Sequence, residues 1–88
     1  MKWFVYILRC GSGDLYTGVT NDLERRLEQH QSGRGGWFTK TTQLVELLYH
    51  EVYDSEDTAK NRETQLKGWS RRKKFALISG DRVALKRA

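Results

Sequence analysis

Residues 15–30, LYTGVTNDLERRLEQH, pass from a strand through a tight corner into a helix, and they restrict the possible folds of the chain more than any other stretch. Tyr16-Thr17-Gly18-Val19-Thr20 has the β-branched and aromatic character of a strand. Asn21 or Asp22 can then cap a helix by accepting a bond from an unpaired backbone N–H, and Glu24, three residues after Asn21, completes a capping-box pattern. Leu23 and Leu27 are spaced i,i+4 and point to a core, while Arg26 and His30, also i,i+4, share a neighbouring face. One phenol, one guanidinium and one imidazole can thus converge at the edge of a strand, and Gly18 leaves room for a close approach to the backbone.

The flanking segments read as support. Lys2 to Cys10, KWFVYILRC, is a strand with Trp3, Val5 and Ile7 on one side and Phe4, Tyr6 and Leu8 on the other; both faces are apolar, so both should be covered. Gly11 to Asp14 is a turn that sets Tyr6 and Tyr16 on paired strands. By itself Tyr6 reads as a core tyrosine with its hydroxyl at the surface. The first helix should stop at Ser32-Gly33, before a loop over 34–42 in which Arg34 and Lys40 suit contact with a nucleic-acid backbone. Trp37 or Phe38 could stack on a base there, or anchor the loop to the core.

Leu44 to Tyr53 fits a helix nearly as well as a strand; its Val, Tyr and Leu content and the breakers on both sides predict a strand. His50 within it has no second His or Cys at a zinc-like spacing and reads as a surface or hydrogen-bonded residue. Asp54 or Ser55 caps a second helix whose apolar stripe runs Ala59, Leu66, Trp69, and Glu63 sits on that stripe. An inward carboxylate is costly unless paired or bound to a cation, so periodicity alone singles out Glu63, with a salt bridge to Arg26 as the structural alternative. Ser70 caps a last helix, Arg71 to Ser79, in which Phe75, Leu77 and Ile78 close the core before Gly80 ends it. The expected fold is α/β (α+β): a small three-stranded, mainly antiparallel sheet flanked by helices in the order β-β-α-β-α-α, forming one domain over 1–80 with a frayed basic tail over 81–88.

Sixteen basic against eleven acidic residues give a formal +5 and suggest a polyanionic partner. Arg25, Arg26 and Arg34 bracket the first helix, and Lys67, Arg71, Arg72, Lys73 and Lys74 form a second cluster, which reads either as phosphate contact or as a solvated helix face. A single cysteine, Cys10, excludes an internal disulfide, and no stretch suits a signal peptide or membrane span, so a cytoplasmic location is expected. There is no Walker loop, no nucleophile elbow and no carboxylate cluster able to hold two metals. One metal together with a phenol and an arginine is the catalytic arrangement that fits, because a single open divalent ion suffices if other groups supply the base and the second positive charge.

Phe4-Val5-Tyr6 followed by Tyr16-Thr17-Gly18 resembles the two motif halves of the GIY-YIG nucleases, with phenylalanine for the first glycine and threonine for the second isoleucine. Arg26, His30 and Glu63 fall on that family's arginine, histidine and glutamate, and the resemblance covers nearly the whole chain. It is strongest to the small bacterial proteins that consist of this domain and little else. The family's later asparagine has no clear counterpart, Lys73 or Lys74 lying in that region. The resemblance implies that Glu63 holds Mg²⁺ or Mn²⁺, that Tyr6 or Tyr16 activates water, that Arg26 steadies the phosphate and that His30 assists proton transfer. It implies a nuclease on nucleic acid, DNA in preference to RNA, directed by structure or ends rather than by sequence. A monomer is expected, and the rival reading is a binding module of negligible turnover.

Overall fold

The structure, a computed structural model, describes residues 1–31 and 45–80; Arg34, Trp37, Phe38, Lys40 and the tail over 81–88 lie outside the described residues. The elements follow the expected order: β1 (Trp3–Cys10), β2 (Leu15–Thr20), α1 (Leu23–Gln31), β3 (Val45–Tyr53), α2 (Glu56–Lys67) and α3 (Arg71–Ser79). The strands form one antiparallel sheet in the order β2-β1-β3. Two apolar faces made β1 the natural central strand, and Val5, Tyr6, Ile7 and Leu8 are at most 1% exposed. The hairpin to β2 turns at Gly13, whose φ of 92° lies in the left-handed region that a side chain disfavours. The helix-or-strand ambiguity of β3 has a physical source in its register. Ile7 pairs with Tyr49 but Leu8 pairs with Leu47, so Leu48 is an extra residue that breaks the two-residue alternation.

Val5, Ala59 and Leu66 form the fully buried centre of one face, with Trp3, Val19, Tyr53, Trp69 and Leu77 packed around them. Helices α2 and α3 therefore cover this face. The structure chooses between the alternative caps and corrects other local expectations. Asp22, not Asn21, caps α1, its Oδ1 accepting from the Arg25 N–H at 3.1 Å; Glu24 is then one position too early to close a capping box. Ser55 caps α2, accepting from the Thr58 N–H at 3.2 Å, whereas Asp54 pairs with Lys2 at 2.5 Å. Trp69 joins the core from beyond the helix end, because α2 stops at Lys67 with Gly68 as its cap. In α3 the buried residue is Ala76, with Phe75, Leu77 and Ile78 only half-buried. Leu23 and Leu27 are also half-buried, lining an apolar depression with Phe4.

Strand β3 and helix α2 are joined by a compact polar cluster. The Glu51 carboxylate accepts from Arg62 Nε at 2.9 Å and Arg62 Nη2 at 3.0 Å, from Tyr49 Oη at 2.5 Å and from Tyr53 Oη at 2.6 Å. These bonds outweigh burial and hold the Glu51 carboxyl below its ordinary range, while burial and Glu51 push the Tyr49 phenol up to about 12. Trp69 is flanked by two cations, Arg62 Cζ at 5.1 Å and Lys73 Nζ at 4.2 Å from the ring centroid. A fully satisfied, half-buried pair of this kind fixes geometry more than it adds stability. It fixes the helix that carries Glu63.

Candidate active site

Tyr6 lies opposite Gly18 in the β1–β2 ladder, and Tyr16 opposite Leu8. The Tyr6 ring crosses the edge strand over Gly18: a Cβ there would stand 2.6 Å from Tyr6 Cζ, closer still to Oη, and 3.1 Å from Tyr16 Cε1. The two phenol rings are 6.2 Å apart. His30 of α1 joins them, its ring 4.9 Å from Tyr16 and 6.2 Å from Tyr6, with Nε2 3.4 Å from Tyr6 Oη. Tyr6, Tyr16 and His30 are thus one aromatic cluster, as the spacing predicts.

Burial sets the charge states in this cluster. Tyr6 and His30 are each 1% exposed. Desolvation raises the Tyr6 phenol well above its ordinary value, Tyr16 and Glu63 adding to the shift and Arg26 opposing it. The phenol is protonated at neutral pH. Desolvation, then the Arg26 charge, lowers the His30 imidazole below its ordinary 6.5, so it stays neutral. His30 Nδ1 and Thr17 Oγ1 are buried without a hydrogen-bond partner. Because the folded protein disfavours protonated His30, the unfolded chain binds the proton more readily. Stability should be full above 6.5 and fall as pH drops through that value. Melting curves between pH 8 and 5 should show this acid-side loss, reduced in His30→Gln; equal pH dependence in both proteins would contradict it.

Arg26 and Glu63 line one cleft of about 490 Å³ beside the edge strand. The two residues therefore lie on the same side, as the metal-site reading needs. They are not salt-bridged: the ion pair that Glu63 makes among the described residues is with Lys67, at 3.5 Å between side chains 58% and 21% exposed. The expected convergence of phenol, guanidinium and imidazole is met only in part. Tyr6, Tyr16 and His30 do not line this cleft, although the Tyr6 phenol responds to both Arg26 and Glu63. Further residues of the cleft, among them Lys60, Thr64 and Trp3, escaped the sequence reading. Lys60 was accessible to it, standing three positions before Glu63 on one helix face. Trp3 was not, since it read only as an alternating strand residue.

The oxygen chemistry of the cleft suits a hydrated divalent ion. Mg²⁺ keeps several waters and binds through one or two carboxylates plus substrate phosphate, which the partly buried Glu63, with Glu56 also lining the cleft, permits. No group of three or more His, Cys, Asp or Glu side chains able to hold a metal is gathered among the described residues, so Glu63 would be the main protein ligand. Of the expected nucleic-acid contacts, Arg25, Lys67, Arg71 and Arg72 are exposed, and Lys73 and Lys74 half-buried. Arg71 lies over Phe75, its Cζ 5.0 Å from the ring centroid. Placing four cations and no acid in the first turn of α3 opposes the helix dipole and leaves a strongly positive end.

A family model described as the GIY-YIG catalytic domain matches residues 2–76. The chain is 42% identical over 78 residues to a UPF0213 protein of Staphylococcus saprophyticus, covering 89% of this chain and 95% of that one. It is 41% identical over 80 residues to a UPF0213 protein of Bacillus pumilus, covering 91% and 82%. The solution NMR structure of a UPF0213 protein from Bacillus halodurans has a TM-score of 0.60 and 38% identity, over 92% of this chain and 86% of the other. No helix of the described residues is long and apolar enough to cross a membrane.

Proposed function

We infer that this chain, which belongs to the GIY-YIG family, hydrolyses phosphodiester bonds in DNA with one Mg²⁺ or Mn²⁺ ion, directed by strand structure or ends rather than by sequence. The observation that carries this reading is the shared cleft of Arg26 and Glu63, which sets a cation and a carboxylate on opposite helices beside the tyrosine cluster. When bound, the ion supplies charge neutralisation at the phosphate and a more acidic water. Glu63 holds it. The Arg26 guanidinium offers paired donors to the phosphate oxygens and neutralises the charge that builds there. Tyr6, kept protonated by burial, acts as a hydrogen-bond donor and not as the base. That leaves Tyr16, the half-buried phenol, to orient the attacking water, with the neutral His30 ring packed against it to hold it in position. Arg25, Lys67 and the Arg71–Lys74 run, with Arg34 and Lys40, supply sequence-independent backbone contacts.

The burial of Tyr6 also favours a second reading, a nucleic-acid-binding module that turns over negligibly, because a phenol held protonated is a poor base. Incubating the protein with labelled single-stranded, duplex, flapped and branched DNA and RNA, with and without Mg²⁺ or Mn²⁺, separates the two. Metal-dependent cutting of DNA is the expected result, and binding without cutting on every substrate would establish the module. Affinity should fall steeply with salt, each phosphate contact contributing a slope of about −0.9 on duplex in log–log terms. Affinity for duplex that is unchanged between low and high salt would remove the backbone-contact assignment.

A further inference from the structure

We propose that the cleft holding Arg26 and Glu63 also contains a nucleobase subsite, with the Trp3 indole as its stacking surface, so that the substrate presents an unpaired nucleotide beside the bond that is cut. This rests on the nuclease reading and names its substrate class. The cleft is chemically divided. Arg26, Glu56, Lys60 and Glu63 make one part charged, whereas Trp3 and Val19 from the two paired strands make another part apolar. A site for phosphates alone has no use for an indole, and apolar surface left wet in a charged cleft is a feature of ligand sites.

Trp3 is suited to stacking because it is already fixed. It packs against the Val5–Ala59–Leu66 core and still lines the cleft, so little ordering is required when a planar ring lies on it. Groups able to meet a base edge stand around it. The Asn21 amide, now donating at 3.2 Å to the weak acceptor Met1 Sδ, is easily released to bond a base. Thr64 donates its hydroxyl hydrogen to the Lys60 carbonyl at 3.0 Å and keeps acceptor lone pairs. Lys60 itself is held only by an exposed contact of 3.6 Å to Glu56, and it can serve a neighbouring phosphate. The volume of about 490 Å³ falls within the usual range for small-ligand clefts.

A base inside a duplex has both faces covered by its neighbours and cannot lie on Trp3. The cleft therefore takes single strands, frayed ends, flaps or a flipped base. Selection by structure then has a physical origin in one aromatic ring.

The test measures binding by the whole protein in metal-free buffer, where nothing is cut. The probes are a short oligothymidylate and a strand of the same length made of abasic deoxyribose phosphates. Wild type should prefer the base-bearing strand by about tenfold, in line with base–aromatic stacking, and Trp3→Leu should lose the preference while Trp3→Phe keeps most of it. Should Trp3→Leu fail to fold, the indole N–H resonances of the wild type decide: adding thymidine monophosphate should move that of Trp3 and leave that of Trp69, which is flanked by Arg62 and Lys73, in place. Equal affinity for the two strands, or an unmoved Trp3 resonance, overturns the proposal. A protein with the base preference that cuts no DNA in Mg²⁺ or Mn²⁺ would sink the nuclease reading instead, and one that cuts without the preference would sink only the subsite.

Discussion

Glu63→Gln will melt within about 3 °C of the wild type in metal-free buffer and will cut DNA on the order of a thousandfold more slowly, or not at all. The small thermal effect follows from what Glu63 touches. Its partner is Lys67, one turn away on the same helix and largely in solvent, and such pairs are worth only ~0.2–0.5 kcal/mol. Were Glu63 instead the buried counter-charge of Arg26, removing it would cost roughly 3–5 kcal/mol, much of the stability of a domain this small. On the proposed role, the large kinetic effect follows from the loss of the charge that would hold the cation, which is worth several kcal/mol in the transition state. DNA binding should stay equal or tighten, since a carboxylate that repels phosphates has gone. Arg26→Ala should differ by costing cleavage and some affinity together. Normal cutting by Glu63→Gln, or its unfolding, would refute the assignment.

The second large effect is expected at a residue with no chemistry. Gly18→Ala should lower the melting temperature by roughly 5–20 °C, from an overpacking cost of ~1–3 kcal/mol, and should slow cleavage by about a hundredfold. The added methyl would have to occupy space taken by the Tyr6 ring, 2.6 Å from Cζ. Tyr6 has nowhere to go: it is buried, and His30 and Tyr16 close its far end. Either the ring or the edge strand must shift, and both change where Tyr16 and His30 stand. A Gly18→Ala protein with wild-type melting and rate would show that this crowding is not what places the tyrosines.

The candidate site residues could be picked out because their spacing is local. A hairpin and one helix bring Tyr6, Tyr16 and His30 together, and i,i+4 arithmetic suffices to set Arg26 one turn before His30. Glu63 was legible from the cost of a carboxylate on an apolar stripe. What spacing could not convey was depth. Whether Tyr6 stands in an open site or a closed one depends on how α1 crosses the sheet, a tertiary fact, and the structure closes it. The division between a buried aromatic cluster and an open charged cleft is for that reason absent from the sequence reading. Likewise the place of Trp3, packed on the core and lining the cleft, depends on how α2 lies on the sheet. Of the two caps the sequence offered, Asp22 is the one used, and that choice dissolves the capping box counted from Asn21 to Glu24. Such ends are decided by competition between neighbouring side chains for the same backbone N–H groups.

Arg62 and Glu63 are consecutive residues with separate duties. One turns toward β3, where two bonds to Glu51 tie the helix down, and the other turns into the cleft. Successive positions on a helix diverge by about 100°. Anchoring and working surfaces can therefore be altered independently. Residues such as Lys60 and Thr64 are open to replacement without loosening the helix, so relatives built on this frame can acquire new preferences by changing a few cleft-facing side chains. The same separation recommends Lys60 and Thr64 as the first positions to randomise in a redesign, with Glu51, Arg62 and Gly18 left untouched.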